Sequence, residues 1–126
     1  MADSEPRSRR MLFRLKTGEG DSRAFNTRDA CVCANGDLLL SGYDSDPDLE
    51  NFIGSSDWEG ELLVKEEHVA RVHIALEREF GRPKSTNPDK ALLELIARGF
   101  GGKLNCMTRF AEWLTARRIP HSEHAE

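Results

Sequence analysis

The stretch "ACVCANGDLLLSGY" constrains the fold of this chain more than any other part of its sequence. Two apolar runs rich in strand-forming residues flank Asn35 and Gly36, a pair that favours a two-residue type I′ turn. The pattern predicts a β-hairpin with strands over residues 29–34 and 37–43. Any fold for this chain must therefore contain an antiparallel strand pair joined by a tight turn.

Two more segments carry the alternation of a half-buried strand. Met11, Phe13 and Leu15 alternate with charged residues, which predicts a strand with these three side chains on its buried face. The segment "DWEGELLV" places apolar side chains on a face that a helix can cover. Its two glutamates then point to solvent or to a partner.

The second half of the chain has the period of helices. "EEHVARVHIALEREF" predicts one helix, and Asn87 followed by Pro88 predicts the start of a second. Asn105 can cap a third helix, which Pro120 ends. The buried stripes of these helices are predicted to consist of Val69, Val72, Leu76, Phe80, Leu92, Leu93, Ile96, Phe100, Cys106, Phe110, Trp113 and Leu114.

Strands come first and helices follow, which predicts an α+β fold. We expect an antiparallel sheet of about four strands in the N-terminal half, with about two to three C-terminal helices packed on one face. A chain of 126 residues has the size of one domain. Residues 1–9 are predicted as a disordered leader, residues 10–120 as a single α+β domain, and residues 121–126 as a flexible tail.

The composition is that of a soluble globular protein, with 38% apolar and 32% charged residues. No apolar run approaches the length of a transmembrane helix, so no membrane association is expected. The polar start lacks the apolar core of a secretory signal, and we expect a cytoplasmic protein. Cys31, Cys33 and Cys106 fit that compartment as reduced thiols.

Charge is distributed unevenly along the chain. Residues 36–67 contain ten carboxylates and one base, Lys65, although the whole chain carries a net charge of only −4. Seven of these carboxylates fall in residues 43–61, a stretch without Lys or Arg. Such a field of like charges attracts a partner whose own surface is basic.

No metal, cofactor or enzymatic activity is expected. Asp44, Asp46 and Asp48 alternate like the first ligands of an EF-hand loop, but Leu49 and Ser55 occupy the positions of the required glycine and bidentate glutamate. The cysteines of "CVC" are too closely spaced for a zinc knuckle. The sequence also lacks a nucleophile elbow, a phosphate-binding loop and a dinucleotide fingerprint.

A basic cluster near the N-terminus raises the question of nucleic acid. It consists of Arg7, Arg9, Arg10, Arg14 and Lys16. Nucleic-acid binding needs a clustered basic face with groups that stack on or read bases, and the chain as a whole is acidic. We expect no direct nucleic-acid binding, and a nucleic-acid-linked regulator using this cluster remains an alternative.

Several short motifs over residues 37–121 resemble a group of small, largely uncharacterised bacterial proteins of the immunity or toxin-accessory kind. The matching positions are Ser41-Gly42-Tyr43-Asp44, Pro47, Phe52, Gly54, Ser56-Asp57-Trp58-Glu59, Phe100-Gly101-Gly102, Phe110, Trp113-Leu114 and Ile119-Pro120. The sequence departs from their pattern at Arg118, where they carry glycine, and in the ending "HSEHAE", where they carry an aromatic residue.

The resemblance implies a non-enzymatic module that binds a basic protein, an immunity protein neutralising a toxin. The acidic segment would supply charge and aromatic anchors. The predicted partner-binding residues are Asp44, Asp46, Asp48, Glu50, Phe52, Asp57, Trp58, Glu59 and Glu61. The alternation of its strand also aims Trp58 at the core, which competes with a role in binding. A structural or regulatory domain, whose acidity serves only solubility, is the other alternative.

Overall fold

The computed structural model describes residues 5–18, 23–47 and 57–125 of the chain. These residues form an antiparallel sheet with helices on one face, so the predicted α+β fold is confirmed. The strands are β1 (Ser8–Thr17), β2 (Ala24–Val32), β3 (Leu38–Ser45), β4 (Asp57–Val64) and β5 (Ser122–Ala125). The helices are α1 (Glu66–Phe80), α2 (Pro88–Phe100) and α3 (Cys106–Ala116). None of these helices combines the length and the apolarity needed to span a bilayer.

The sheet has the strand order β1-β2-β3-β4-β5, and every neighbouring pair is antiparallel. After β4 the chain passes through the three helices and returns as β5, which runs back along β4. The strands β1 and β5 are therefore the two edges of the sheet. The opposite face of the sheet carries no helix of the described chain.

The core lies between the sheet and the helices. The sheet contributes buried side chains of one parity from β3 and β4, such as Leu40 and Leu62, both with 0% exposure. The predicted helical stripes are confirmed as part of this core, with Val69 and Phe80 only partly buried. Asn87 caps α2 as predicted, because its side-chain oxygen accepts a hydrogen bond from the backbone N–H of Lys90 at 3.0 Å.

The hairpin between β2 and β3 is confirmed, but its predicted type I′ turn is wrong. The backbone N–H of Cys33 donates to the carbonyl of Asp37 at 2.8 Å, so the loop spans three residues instead of two. Gly36 is left-handed, with φ of 95°, whereas Asn35 is not. A type I′ turn needs positive φ at both central residues, so the observed loop is the three-residue kind that ends in a left-handed glycine.

The same loop also fixes the start of α1. The Asp37 carboxylate accepts a hydrogen bond from the backbone N–H of Glu66 at 2.8 Å, while Lys65, at the cap position itself, makes no side-chain cap bond. The first N–H groups of a helix lack partners within the helix. A residue distant in sequence therefore caps α1 and ties the hairpin to the helical layer.

The prediction for the buried face of β1 is wrong. Leu12 is buried, whereas Met11 and Leu15 are 52% and 42% exposed. The pairing of β1 with β2 shifts register between Met11 and Phe13, which leaves Leu12 as the extra residue of a bulge. A bulge changes the face on which the following side chains lie, so simple alternation fails here.

The predicted ends of the domain also differ from the structure. Residues 122–125, predicted to lie in a flexible tail, form β5 and pair with residues 60–63 of β4. At the other end, β1 begins at Ser8, within the predicted leader. These pairings explain why the sheet has five strands where about four were expected.

The end of α3 depends on one unusual backbone conformation. The helix ends at Ala116, before the predicted stop at Pro120, and the side chain of Asn105 makes no cap bond at its start. Arg118 then adopts a left-handed conformation with φ of 57°. This turn directs Ile119 into the core, where it is 4% exposed. The conformation favours glycine, so the arginine here is strained.

Candidate partner-binding face of the sheet

The predicted partner-binding residues divide between the two faces of the sheet. Side chains alternate along a strand, and Leu62 of β4 belongs to the core. Glu59 and Glu61 therefore lie on the face without helices, and both are exposed. Trp58 lies on the same side as Leu62, and Asp44 is its cross-strand neighbour on β3. Strand parity thus separates two acids that the sequence interpretation had grouped together.

Asp44 is held by an internal ion pair. Arg28 of β2 donates two hydrogen bonds to its carboxylate, at 2.7 and 3.0 Å, and Asn26 donates a third at 2.7 Å. The Arg28 side chain is only 7% exposed, and it also donates to the carbonyl of Thr27 at 2.8 Å. Two parallel bonds between guanidinium and carboxylate form the strongest common geometry for such a pair. The oxygens of Asp44 are therefore engaged inside the fold.

Trp58 packs against this ion pair. The Arg28 guanidinium lies 5.0 Å from the centre of the indole ring, a cation–π distance. A Cβ atom added to Gly60 would lie 2.4 Å from two indole carbons, so the ring covers the backbone of Gly60 directly. Gly42 lies beneath both side chains in the same way. The half-buried Trp58 therefore has a packing role at the edge of the core.

The helix-free face of the sheet, which we call the open face, contains a groove of about 410 Å³. Two rows of side chains cross it from strand to strand. One row consists of Thr27, Tyr43 and Glu59, which are direct cross-strand neighbours. The other consists of Asp29, Ser41, Glu61 and His124. Neither Glu59 nor Glu61 makes a hydrogen bond or ion pair with another described residue.

Charge changes sign across the open face. At the β1 edge, Arg9, Arg14 and Lys16 lie on this face, as cross-strand neighbours of Cys31, Thr27 and Phe25. Arg14 and Lys16 each approach the Phe25 ring to 5.6 Å. The far side, at β4, carries carboxylates. The open face is therefore basic along one edge and acidic towards the other.

Asp29 lies between these two regions. Partial burial raises the pKa of the Asp29 carboxyl, and the nearby Arg9 guanidinium partly offsets that rise. The Arg9 and Asp29 side chains are 3.8 Å apart, and both are partly exposed. A partly desolvated carboxylate in a groove favours a cationic ligand, because a bound cation stabilises the charged form.

The remaining predicted site residues are less informative. Asp48, Glu50 and Phe52 lie outside the described residues. Asp46 is half-buried and Asp57 is exposed at the start of β4, and both interact with other groups. Within residues 5–18, 23–47 and 57–125, no group of three or more His, Cys, Asp or Glu side chains is arranged to hold a metal ion.

Two residues that the sequence interpretation missed, Arg28 and Asp29, have a visible signal. The alternation of β2 gives Arg28 the same parity as the buried Ala30, which marks it as an arginine directed inward. A buried arginine needs a carboxylate partner, so an acid on a neighbouring strand could have been expected. His124 has no such signal, because its position on the open face depends on the unpredicted pairing of β5.

The cysteines of β2 lead to a reactivity prediction. Cys31 is 6% exposed; burial, together with the adjacent Cys33, raises the pKa of its thiol to about 11. At pH 8 roughly one such thiol in a thousand is ionised, and the thiolate is the reactive form. We expect iodoacetamide to label the half-buried Cys33 well before Cys31 in the native protein, as measured by peptide mass spectrometry. Equal labelling rates would contradict the buried placement of Cys31.

No family model, curated protein or solved structure matches the chain. The resemblance to immunity-type proteins therefore stays a prediction.

Proposed function

We propose that this protein is a non-enzymatic binding module that docks a basic protein on the open face of its sheet. The observation that carries the proposal is the pair of exposed carboxylates, Glu59 and Glu61, which no described residue neutralises. Beside them, the Tyr43 ring and the groove supply surface that a partner's side chain can fill. Aromatic residues next to charged groups are frequent in binding interfaces.

The charge pattern of the open face defines the partner further. A partner with a basic patch over β4 would gain from Glu59 and Glu61, and the β1 edge with Arg14 and Lys16 would repel that same patch. The complementary partner is therefore basic on one side of its contact surface and acidic or neutral on the other. Such complementarity sets orientation and association rate more than total affinity.

A toxin with a basic nucleic-acid-binding surface has this chemistry, and the resemblance to immunity proteins makes it the partner class that we propose. We also place the module in the cytoplasm, where its three free thiols would stay reduced. The alternative of a nucleic-acid-linked regulator has less support. The basic cluster is divided, because Arg7 pairs with Asp89 on the helical side while Arg14 lies on the open face.

The proposal predicts that Glu59→Lys/Glu61→Lys slows partner association. With the parent chain as bait, the partner is first captured from the source cell, and association rates are then measured by surface plasmon resonance. We expect the double variant to associate roughly ten- to a thousandfold more slowly at low salt, because it reverses the field that steers the partner. The difference should shrink at 0.15 M salt, where the Debye length is about 8 Å.

The matched control is Glu77→Lys/Glu112→Lys, which changes the net charge equally on exposed helical positions. Both double variants should keep the melting temperature of the parent, because they replace solvated side chains. If the captured partner binds the open-face variant and the control at the same rate and with the same salt dependence, the open face is not its docking site.

A further inference from the structure

The helix α1 has a second contact stripe that the core does not use. Its core stripe includes Val72 and Leu76, both fully buried. A different stripe, at residues 71, 74, 75 and 78, lines a groove of about 560 Å³ between α1 and the chain that follows α3. Ile74 lies in this groove with 54% of its surface exposed. A large aliphatic side chain so open to water inside a groove favours contact with an apolar group.

One wall of this groove is already ordered by internal contacts. The Arg117 guanidinium stacks on the Trp113 indole at 4.2 Å and donates to the Trp113 carbonyl at 3.3 Å. It also forms an ion pair with Glu79, whose carboxylate accepts a hydrogen bond from the indole N–H at 2.8 Å. A wall held in this way loses little side-chain entropy when a ligand binds.

The charge of the groove is unbalanced. Glu79 is the carboxylate of its lining, and Arg117 neutralises it. Arg71 donates only to the neutral carbonyl of Arg118, at 3.2 Å, and Arg78 makes no ion pair with a described residue. Two guanidinium groups without a counter-charge therefore stand on either side of the exposed Ile74. We call this site, lined by Arg71, Ile74, Arg78, Glu79, Arg117 and Ile119, the arginine groove.

Backbone strain lies at the rim of the same groove. Arg118 is the only residue with a side chain that has positive φ in the described ranges, at 57°. Its turn brings Ile119 to the groove wall, and the backbone N–H of Ile119 donates to the carbonyl of Leu114 at 3.0 Å. Strained backbone tends to occur where a particular geometry serves binding. The strain supports a binding site here without identifying the ligand.

We propose that the arginine groove binds an acidic protein segment that inserts a large apolar side chain over Ile74. Carboxylates flanking that side chain would pair with Arg71 and Arg78, because the guanidinium fork matches a carboxylate in two parallel hydrogen bonds. The apolar floor favours a peptide over nucleic acid, whose phosphate backbone offers nothing to contact Ile74. This site binds the opposite charge from the open face, so it does not depend on the function proposed above.

The test uses three synthetic eight-residue peptides and the full chain labelled with ¹⁵N. The first peptide places a Leu-Phe pair between flanking Glu and Asp residues, the second replaces the pair with Gly-Ser, and the third replaces the acids with Lys. We expect the first to shift the amide signals of residues 71–79 and 117–119. By calorimetry the second should bind about tenfold more weakly and the third should not bind.

Single substitutions locate the site. Arg78→Glu should weaken binding of the first peptide at least about tenfold, because it replaces an attractive charge with a repulsive one. Ile74→Ser should reduce the affinity for the first peptide to that of the Gly-Ser peptide. The matched control, Arg82→Glu, changes an exposed arginine outside the groove and should bind like the parent. All three positions are exposed, so melting temperatures should be unchanged.

Three results would overturn the proposal. In the first, Arg78→Glu and Arg82→Glu weaken peptide binding equally, which would mean a non-specific effect of charge. In the second, a single-stranded DNA oligonucleotide displaces the peptide and shifts the same signals, which would assign the groove to nucleic acid. In the third, these signals shift on raising the protein concentration without peptide, which would make a second copy of the chain the occupant.

Discussion

Replacing Asp44 with alanine is expected to lower the free energy of unfolding by about 3–5 kcal/mol. The Arg28 side chain, 7% exposed, would lose its two hydrogen bonds to the carboxylate and remain buried as an uncompensated charge. Its contact with Trp58 cannot replace that counter-charge, because a ring quadrupole attracts a cation more weakly than a carboxylate does. Urea unfolding followed by far-ultraviolet circular dichroism measures the loss.

Two further variants separate the ion pair from other effects. The double substitution Arg28→Met/Asp44→Leu should recover most of the stability, since apolar side chains of similar size can replace a buried pair at little cost. At the exposed pair of Arg9 and Asp29, Arg9→Ala should cost less than about 1 kcal/mol. If Asp44→Ala costs no more than Arg9→Ala, the pair does not hold the sheet edge, and Asp44 becomes available again as a partner-binding residue.

The second large effect is expected in the aromatic cluster beneath the helices. Phe110 is fully buried, stacks on Trp113 with ring centres 5.7 Å apart, and meets the edge of Phe100 at 5.2 Å. Phe110→Ala should cost about 3–5 kcal/mol, because it removes this contact area and leaves a cavity that rigid neighbouring rings cannot close. Urea unfolding gives the free energy, and the emission of Trp113 should report the altered packing.

The controls for this variant test packing against volume. Phe110→Leu keeps an apolar side chain in place and should cost clearly less than Phe110→Ala. Leu104→Ala, at a residue 44% exposed, should change the free energy of unfolding by less than about 0.5 kcal/mol. A cost for Phe110→Ala as small as that for Leu104→Ala would contradict the placement of Phe110 at the centre of the cluster.

The candidate site could be predicted from the sequence only in part. Glu59 and Glu61 were placed correctly on the outward face of their strand, because alternation within one strand is a local property. Asp44 was grouped with them by proximity in sequence, although its carboxylate bonds to Arg28 on the neighbouring strand. That bond depends on the register between β2 and β3, which places Arg28 beside Gly42 and Asn26 beside Asp44. Register of this kind is a property of paired strands, not of either strand alone.

The sequence by itself determined the α+β class and the extents of β4 and α1, because their apolar periods extend over whole elements. Only the tertiary structure decided the bulge at Leu12, which shifts a side chain between faces through pairing with β2. It alone decided β5 as well: all four side chains of that strand are exposed, so no apolar pattern marks it. The backbone of β5 becomes a strand because the edge of β4 offers it hydrogen-bond partners, and such partners exist only once the rest of the sheet has formed.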